Sequence, residues 1–231
     1  MVETLFGVLV NVGSSSANPN GRGRIFQDYA FQYLPIPECQ RTREKVSTYE
    51  ELGFSHVKFP DLPVHLDPEF ETFTYGHVRR GFGDLRCLLA LKKGDVLFFY
   101  ATLQKEEAWS TYIIGYFRNI EVCDCRELSA KEVLTLKFKG FANNAHLKRV
   151  DPSVDLLIKG GNGSKLLHKA FHLAEDKRPL ALQSSLSRII FTATGKSISS
   201  GSPWFRWILT CSNTNELLKR IESWQSVRRS T

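Results

Sequence analysis

Ten residues, Asp67-Pro68-Glu69-Phe70-Glu71-Thr72-Phe73-Thr74-Tyr75-Gly76, hold three carboxylates, three aromatic rings and two threonine hydroxyls. Read as an extended segment, the stretch puts Glu69 and Glu71 on one face beside Asp67, because side chains alternate along a strand. With His146 added, such acids could do acid–base chemistry or metal-dependent hydrolysis. Carboxylates that bond neighbouring backbone, or pair with Arg79 and Arg80, are the commoner outcome. The chain has no GxSxG, no Cys–His signature and no paired metal motif, so no catalytic residue is assigned. Phe70, Thr72 and Tyr75 are the better candidates for touching a ligand.

Three further stretches could recognise a polyanion or a base. Asn143 and Asn144 carry amides able to pair with a base edge, and His146, Lys148 and Arg149 can meet phosphate. The alternative is a solvated loop whose Asn residues satisfy turns. Lys159-Gly160-Gly161-Asn162-Gly163-Ser164-Lys165 is Gly-rich but in the wrong order for a P-loop. If a helix starts there, Ser164 and Lys165 could hold a single phosphate. Trp204 and Arg206 fall on one side of an expected strand and offer a ring and a guanidinium for stacking.

Metal ligation is not expected. His168 and His172 have the i, i+4 spacing of a zinc pair on a helix, but Lys169 stands where a Glu would follow the first histidine. Cys123 and Cys125 share a strand face, and neither pair has a third ligand nearby in sequence. No cofactor is expected either.

Net charge is +7, distributed unevenly. Residues 1–130 carry 14 Lys/Arg against 17 Asp/Glu, a net of −3, whereas residues 131–231 carry 17 against 7, a net of +10. A basic half suits a phosphate-bearing partner through counterion release, or serves solubility alone. With 42% hydrophobic residues, no apolar run of membrane-spanning length and no signal peptide at the start, the expectation is a cytoplasmic globular protein. Five scattered cysteines argue against a disulfide framework.

Positioning these groups requires a mixed fold. Leu5–Val12 reads as a strand buried on both faces, with Asn11, Ser14 and Ser15 polar at its end. Phe26–Tyr33 reads as a short strand or hairpin, and Pro35 and Pro37 stop regular pairing. A helix is expected over Leu85–Leu91, then a Lys92–Asp95 turn, then a hairpin of Val96–Thr102 with Thr111–Val122. Ser129 and Glu132 have capping-box spacing and open a helix to about Phe138. Val154–Ile158 reads as a strand, Lys165–Leu173 as a helix capped by Ser164, and Leu182–Phe191 as another helix. Trp204–Cys211 is a strand, and Asn213 caps a terminal helix with Leu217, Leu218, Ile221 and Trp224 inward. Without regular alternation of strand and helix, the class is α+β in one domain over residues 1–231.

The order of strand, helix, Lys92-Lys93-Gly94-Asp95 turn and hairpin is similar to the PUA-like superfamily, which includes EVE, YTH and ASCH domains. More closely, the chain resembles the nucleotide modification associated domain, the third family of that name. The segments that carry this are Val8–Gly13, Tyr33–Glu38, Asp67–Gly76, Gly94–Tyr100, Asn143–Arg149 and Gly163–Leu167. They spread over most of the chain. The resemblance implies a PUA-like mixed β-barrel with flanking helices, set among systems that modify nucleic-acid bases. The long 39–75 segment and the extended C-terminal third depart from EVE and YTH.

The reading is therefore a DNA- or RNA-binding protein that senses a modified base. Asn11, Ser14, Ser15, Phe70, Thr72, Tyr75, Asn143, Asn144 and His146 would contact the base, and the basic half would hold phosphates. The competing classes are an enzyme on nucleotides or bases, with Asp67, Glu69, Glu71 and His146 as acid–base groups, and a module that meets an acidic protein.

Overall fold

The computed structural model describes residues 6–12, 18–78, 85–175, 181–182, 186, 191–192, 207–209 and 211–226. In chain order the strands are β1 (Gly7–Asn11), β2 (Ile36–Pro37), β3 (Val64–His65), β4 (Thr74–His77), β5 (Val96–Lys105), β6 (Ala108–Phe117), β7 (Glu121–Asp124), β8 (Leu156–Lys159), β9 (Lys165–Glu175), β10 (Ala181–Leu182), β11 (Phe191–Thr192) and β12 (Trp207–Leu209). The helices are α1 (Arg86–Leu89), α2 (Ala130–Thr135) and α3 (Cys211–Ser226). Strands and few helices mix without alternation, so the class is α+β as expected.

A seven-stranded sheet runs in the order β10-β9-β6-β5-β1-β12-β11. The apolar runs of β1 and β5 pair in parallel from Gly7 opposite Val96 to Asn11 opposite Tyr100, and β5 pairs antiparallel with β6 as the expected hairpin, although β6 ends at Phe117 and Val122 falls in β7 of the smaller sheet. Because side chains alternate along a strand, both faces of this centre are apolar. Val8, Val10, Leu97 and Phe99 point to one side, where α1 and the smaller sheet β4-β8-β7 cover them. Leu9, Val96, Phe98 and Tyr100 point to the other, where Leu217, Leu218 and Ile221 of α3 close the layer. Of the inward positions assigned to the terminal helix, Leu217, Leu218 and Ile221 are buried, whereas Trp224 is half-buried.

Several expectations need correcting. Lys165–Leu173 is not a helix but most of β9. Its buried residues Leu167, Ala170 and Leu173 have helix-like spacing because the register with β6 shifts twice, breaking strict alternation. Ser164 caps no helix; its Oγ accepts from the Arg118 amide at 3.0 Å. The ends of the expected Leu182–Phe191 helix lie in β10 and β11, and its remaining residues fall outside the described ones except Leu186. The terminal helix starts at Cys211, so Asn213 is inside it. Pro35 and Pro37 do not prevent pairing, since Ile36–Pro37 forms the two-residue β2 against β3. Among the described residues the strands fall into three sheets and no barrel closes.

Residues 39–65, polar in sequence, build a small core with Leu34 and Leu66, centred on Tyr49 and Val64. Tyr49 is fully buried and donates its hydroxyl to the Pro35 carbonyl at 2.6 Å. The capping box at α2 forms as expected, with Ser129 and Glu132 bonding each other's backbone. No helix among the described residues is long and apolar enough to cross a membrane.

Candidate functional site

Where the 34–66 unit meets β4 of the smaller sheet and the 144–149 turn, five ionisable side chains are enclosed together: Glu38, His65, Asp67, His146 and Arg149. Local structure delivers each one. The Glu38 amide bonds Pro63, and His65 lies opposite Ile36 in the β2–β3 pair, so Glu38 and His65 are held side by side. Asn144 caps a 3₁₀ turn, Ala145–Lys148, by accepting from the His146 amide at 3.1 Å. The 41–43 strand-like segment then clamps this turn: Arg43 N bonds Lys148 O at 2.8 Å and Val150 N bonds Arg41 O at 2.9 Å. Arg149 is thereby aimed inward.

Arg149 grips Glu38 at two points, Nε to Oε2 at 3.0 Å and Nη2 to Oε1 at 3.1 Å. His65 Nδ1 lies 2.7 Å from Glu38 Oε2. A carboxylate only accepts and a guanidinium only donates. The proton on His65 Nδ1 is therefore directed at Glu38, and the 3.1 Å approach of Arg149 Nη2 to that nitrogen is a contact between two donors. Burial raises the Glu38 carboxyl, but hydrogen bonds from His65 and Arg149 outweigh it and hold the group down to about 2.

By the same rule Arg149 Nη1, 3.0 Å from His146 Nδ1, makes that nitrogen the acceptor. The neutral ring then carries its proton on Nε2, which faces Asp67 Oδ2 at 3.4 Å. Burial pushes the His146 imidazole down, against the opposing pull of Asp67, so the ring is neutral near pH 7. The Asp67 carboxylate also accepts from the Gly76 amide at 2.7 Å. Gly76 is there for space: a Cβ would lie 2.3 Å from His146 Cδ2 and 3.0 Å from Asn144 Oδ1. The rings of His65 and His146 meet edge to face, with centroids 4.7 Å apart.

Of the residues expected from sequence, the fold brings Asp67, Asn144, His146 and Arg149 together. Glu38 and His65 are not among the expected site residues. Glu38 ends the Tyr33–Glu38 segment that carries the family resemblance, whereas His65 is a lone histidine with no local signal.

The rest of the Asp67–Gly76 stretch does other work. Residues 70–73 turn, so Glu69 and Glu71 do not alternate along a strand. Glu69 and Thr74 exchange backbone hydrogen bonds at 2.8 and 3.0 Å, and the buried Glu69 carboxylate accepts from the amides and hydroxyl of Glu71 and Thr72. Glu69 thus holds its own loop, while Glu71 and Thr72 are exposed. Phe70 and Tyr75 pack on Phe99 at 5.6 and 5.5 Å, as core rings.

Other expected contacts are dispersed. Asn11 is half-buried at the end of β1, and Asn143 and Lys148 are half-buried beside the capped turn. Lys165 begins β9 with its ammonium 5.4 Å from the Tyr116 ring. Ser14, Ser15, Trp204 and Arg206 lie outside the described residues. His168 and His172 sit on a strand, not a helix, and His172 stacks near Tyr112 at 5.0 Å. The Cys123 and Cys125 sulfurs are 4.0 Å apart, with burial pushing the Cys125 thiol up to about 12.

An open cleft of about 360 Å³ lies elsewhere, between β9 and α3. Phe171, Trp224, Lys219, Arg220 and Ser223 line it, none of them among the sequence-selected contacts. Trp224 is pinned there: its indole N–H donates to Ala170 O at 3.2 Å and its ring meets Tyr29 edge to face at 4.8 Å.

No curated protein and no solved structure matches the chain. Residues 7–229, nearly its whole length, do match the family described as nucleotide modification associated domain 3, and the chain belongs to that family.

Proposed function

We propose that this protein binds nucleic acid, or a nucleotide, within a base-modification system, stacking a base in the β9–α3 cleft and holding phosphates on its basic C-terminal half. The observation that supports this most is the cleft lining of two aromatic rings and two cationic side chains. Base–aromatic stacking contributes about 1–3 kcal/mol per base, and a ring already fixed by its neighbours loses little entropy on binding. Trp224, held by Ala170 and Tyr29, is such a ring. Lys219 is exposed on the same helix, and Arg220 is steadied by Glu216 at 2.6 Å.

Family membership supports the nucleotide context. The finer parts of the reading are that the base is a modified one, that residues 1–231 act as one domain, and that the core is PUA-like. For the last, the support is the parallel β1–β5 pair running into the β5–β6 hairpin.

Fluorescence anisotropy with single-stranded DNA and RNA oligonucleotides, with and without modified pyrimidines, tests the proposal. Affinity should fall linearly in log–log form as salt rises, with a slope set by the phosphates neutralised. The surface change K219E should weaken all oligonucleotides alike, and F171S should lower affinity roughly 5- to 100-fold, as expected for a lost stack. Salt-independent binding, or none to any oligonucleotide, would overturn the reading.

A further inference from the structure

We propose that His65, Asp67 and His146 form a binding site for one divalent first-row transition ion, zinc foremost. The site shares no residue with the β9–α3 cleft, so it stands or falls separately from the function proposed above. One nitrogen from each histidine and one Asp67 oxygen lie within 4.8 Å of one another, all on side chains that are nearly enclosed.

Distances favour an ion over a simple hydrogen bond. His146 Nε2 and Asp67 Oδ2 are 3.4 Å apart, longer than the roughly 2.7–2.9 Å of a charge-assisted bond. That separation instead matches two ligands of a tetrahedral ion with bonds of about 2.0–2.1 Å, whose donor atoms stand roughly 3.3 Å apart. The third ligand must close by about an ångström or more to complete the set.

The donors have the surroundings that metal ligands need. Metal-bound histidines usually give their other ring N–H to a carboxylate, which fixes the tautomer. His65 does this through Nδ1 to Glu38, which makes Nε2, with its lone pair, the nitrogen able to ligate. Charge points the same way. The bidentate fork matches Arg149 to Glu38, whereas the enclosed Asp67 carboxylate, among the described residues, has the Gly76 amide and the long His146 contact. Buried charges are normally paired or bound to metal. Beside them, the amide nitrogen of fully buried Asn144 has no hydrogen-bond partner among the described residues. Two imidazoles and one carboxylate suit a first-row ion and leave positions open for water or substrate oxygen.

Loading has one structural consequence. With the ion on His146 Nε2, the ring proton moves to Nδ1, and Arg149 Nη1 must give way there. The Arg149 fork on Glu38 uses Nε and Nη2, so it can survive that change.

The full chain, stripped with chelator and titrated with Zn2+ or Co2+ alone, tests the assignment. One ion per chain, a rise in Tm reversed by chelator, and a Co2+ visible spectrum free of thiolate charge transfer are expected. D67N and H65Q should abolish stoichiometric binding, E38Q should weaken it roughly 10- to 100-fold, and E71Q should leave it unchanged. Should the ligand variants fail to fold, the wild-type Co2+ spectrum decides. A thiolate signature would place the ion on Cys123 and Cys125, and either that result or no binding to the wild-type chain would overturn the proposal.

Discussion

Arg149 and Glu38, separated by 111 positions in the chain, face each other in a two-point fork with both side chains almost fully enclosed. This pair ties the 34–66 unit to the 3₁₀ turn that carries His146. Removing one partner leaves the other charge buried and unmatched, which costs about 3–5 kcal/mol, whereas replacing both by apolar groups costs far less. R149L should therefore lower the urea midpoint strongly, and E38L/R149L should lie above R149L. Equal midpoints for R149L and wild type would show that the fork holds nothing together.

Gly76 leads to a second prediction. Its missing side chain lets the His146 ring approach β4, and a Cβ would sit 2.3 Å from His146 Cδ2. The site is buried, so G76A must displace the ring, at about 1–3 kcal/mol by the usual cost of overpacking. Equilibrium denaturation should show that loss with an unchanged m-value.

Much of the central sheet could be read from sequence because its signals are local. Val8–Val10 and Leu97–Phe99 are unbroken apolar runs, which only a strand covered on both faces needs. The Ser129–Glu132 box worked for the same reason: both members lie within one turn. β9 failed because its two register shifts give buried Leu167, Ala170 and Leu173 a helical period. The Glu38–His65–Arg149 grouping had no local trace. Its members come from three separate segments, and only tertiary packing of the 34–66 unit against residues 144–149 brings them into contact. Phe70 and Tyr75 read from sequence as ligand-facing rings because they stand among three carboxylates. Glu69 explains the mixture, since it satisfies the turn's own amides and lets the rings fold inward.

Phe117 and Phe138 are chemically identical and should behave oppositely. Phe117 is fully buried and meets Phe70, Phe73 and Phe99 with ring centroids 4.6–5.8 Å away. Phe138 is 94% exposed. F117A should cost about 3–5 kcal/mol through the cavity it leaves, and F138A should stay within roughly 0.5 kcal/mol of wild type. Thermal melts of both variants beside wild type would show the contrast.

Tyr49 gives the fold an alkaline limit. Burial pushes its hydroxyl up from 10.0 to about 12. The folded state therefore binds this proton more tightly than the unfolded chain does, so the stabilisation is fully present below pH 10 and is lost as pH climbs from about 10 to 12. A shift of that size is on the order of 3 kcal/mol, since one unit corresponds to about 1.4 kcal/mol. Y49F removes both the titrating proton and the 2.6 Å hydrogen bond to Pro35. It should be less stable than wild type at neutral pH by about 0.5–1.5 kcal/mol. Burial raises Tyr33 as well, but that residue is common to both proteins and cancels in the comparison. Urea midpoints followed upward in pH should therefore converge and then cross, because the loss on titration exceeds the advantage of wild type at neutral pH. Parallel curves through the same range would mean that Tyr49 stays protonated by some other cause, or that its segment opens before it titrates.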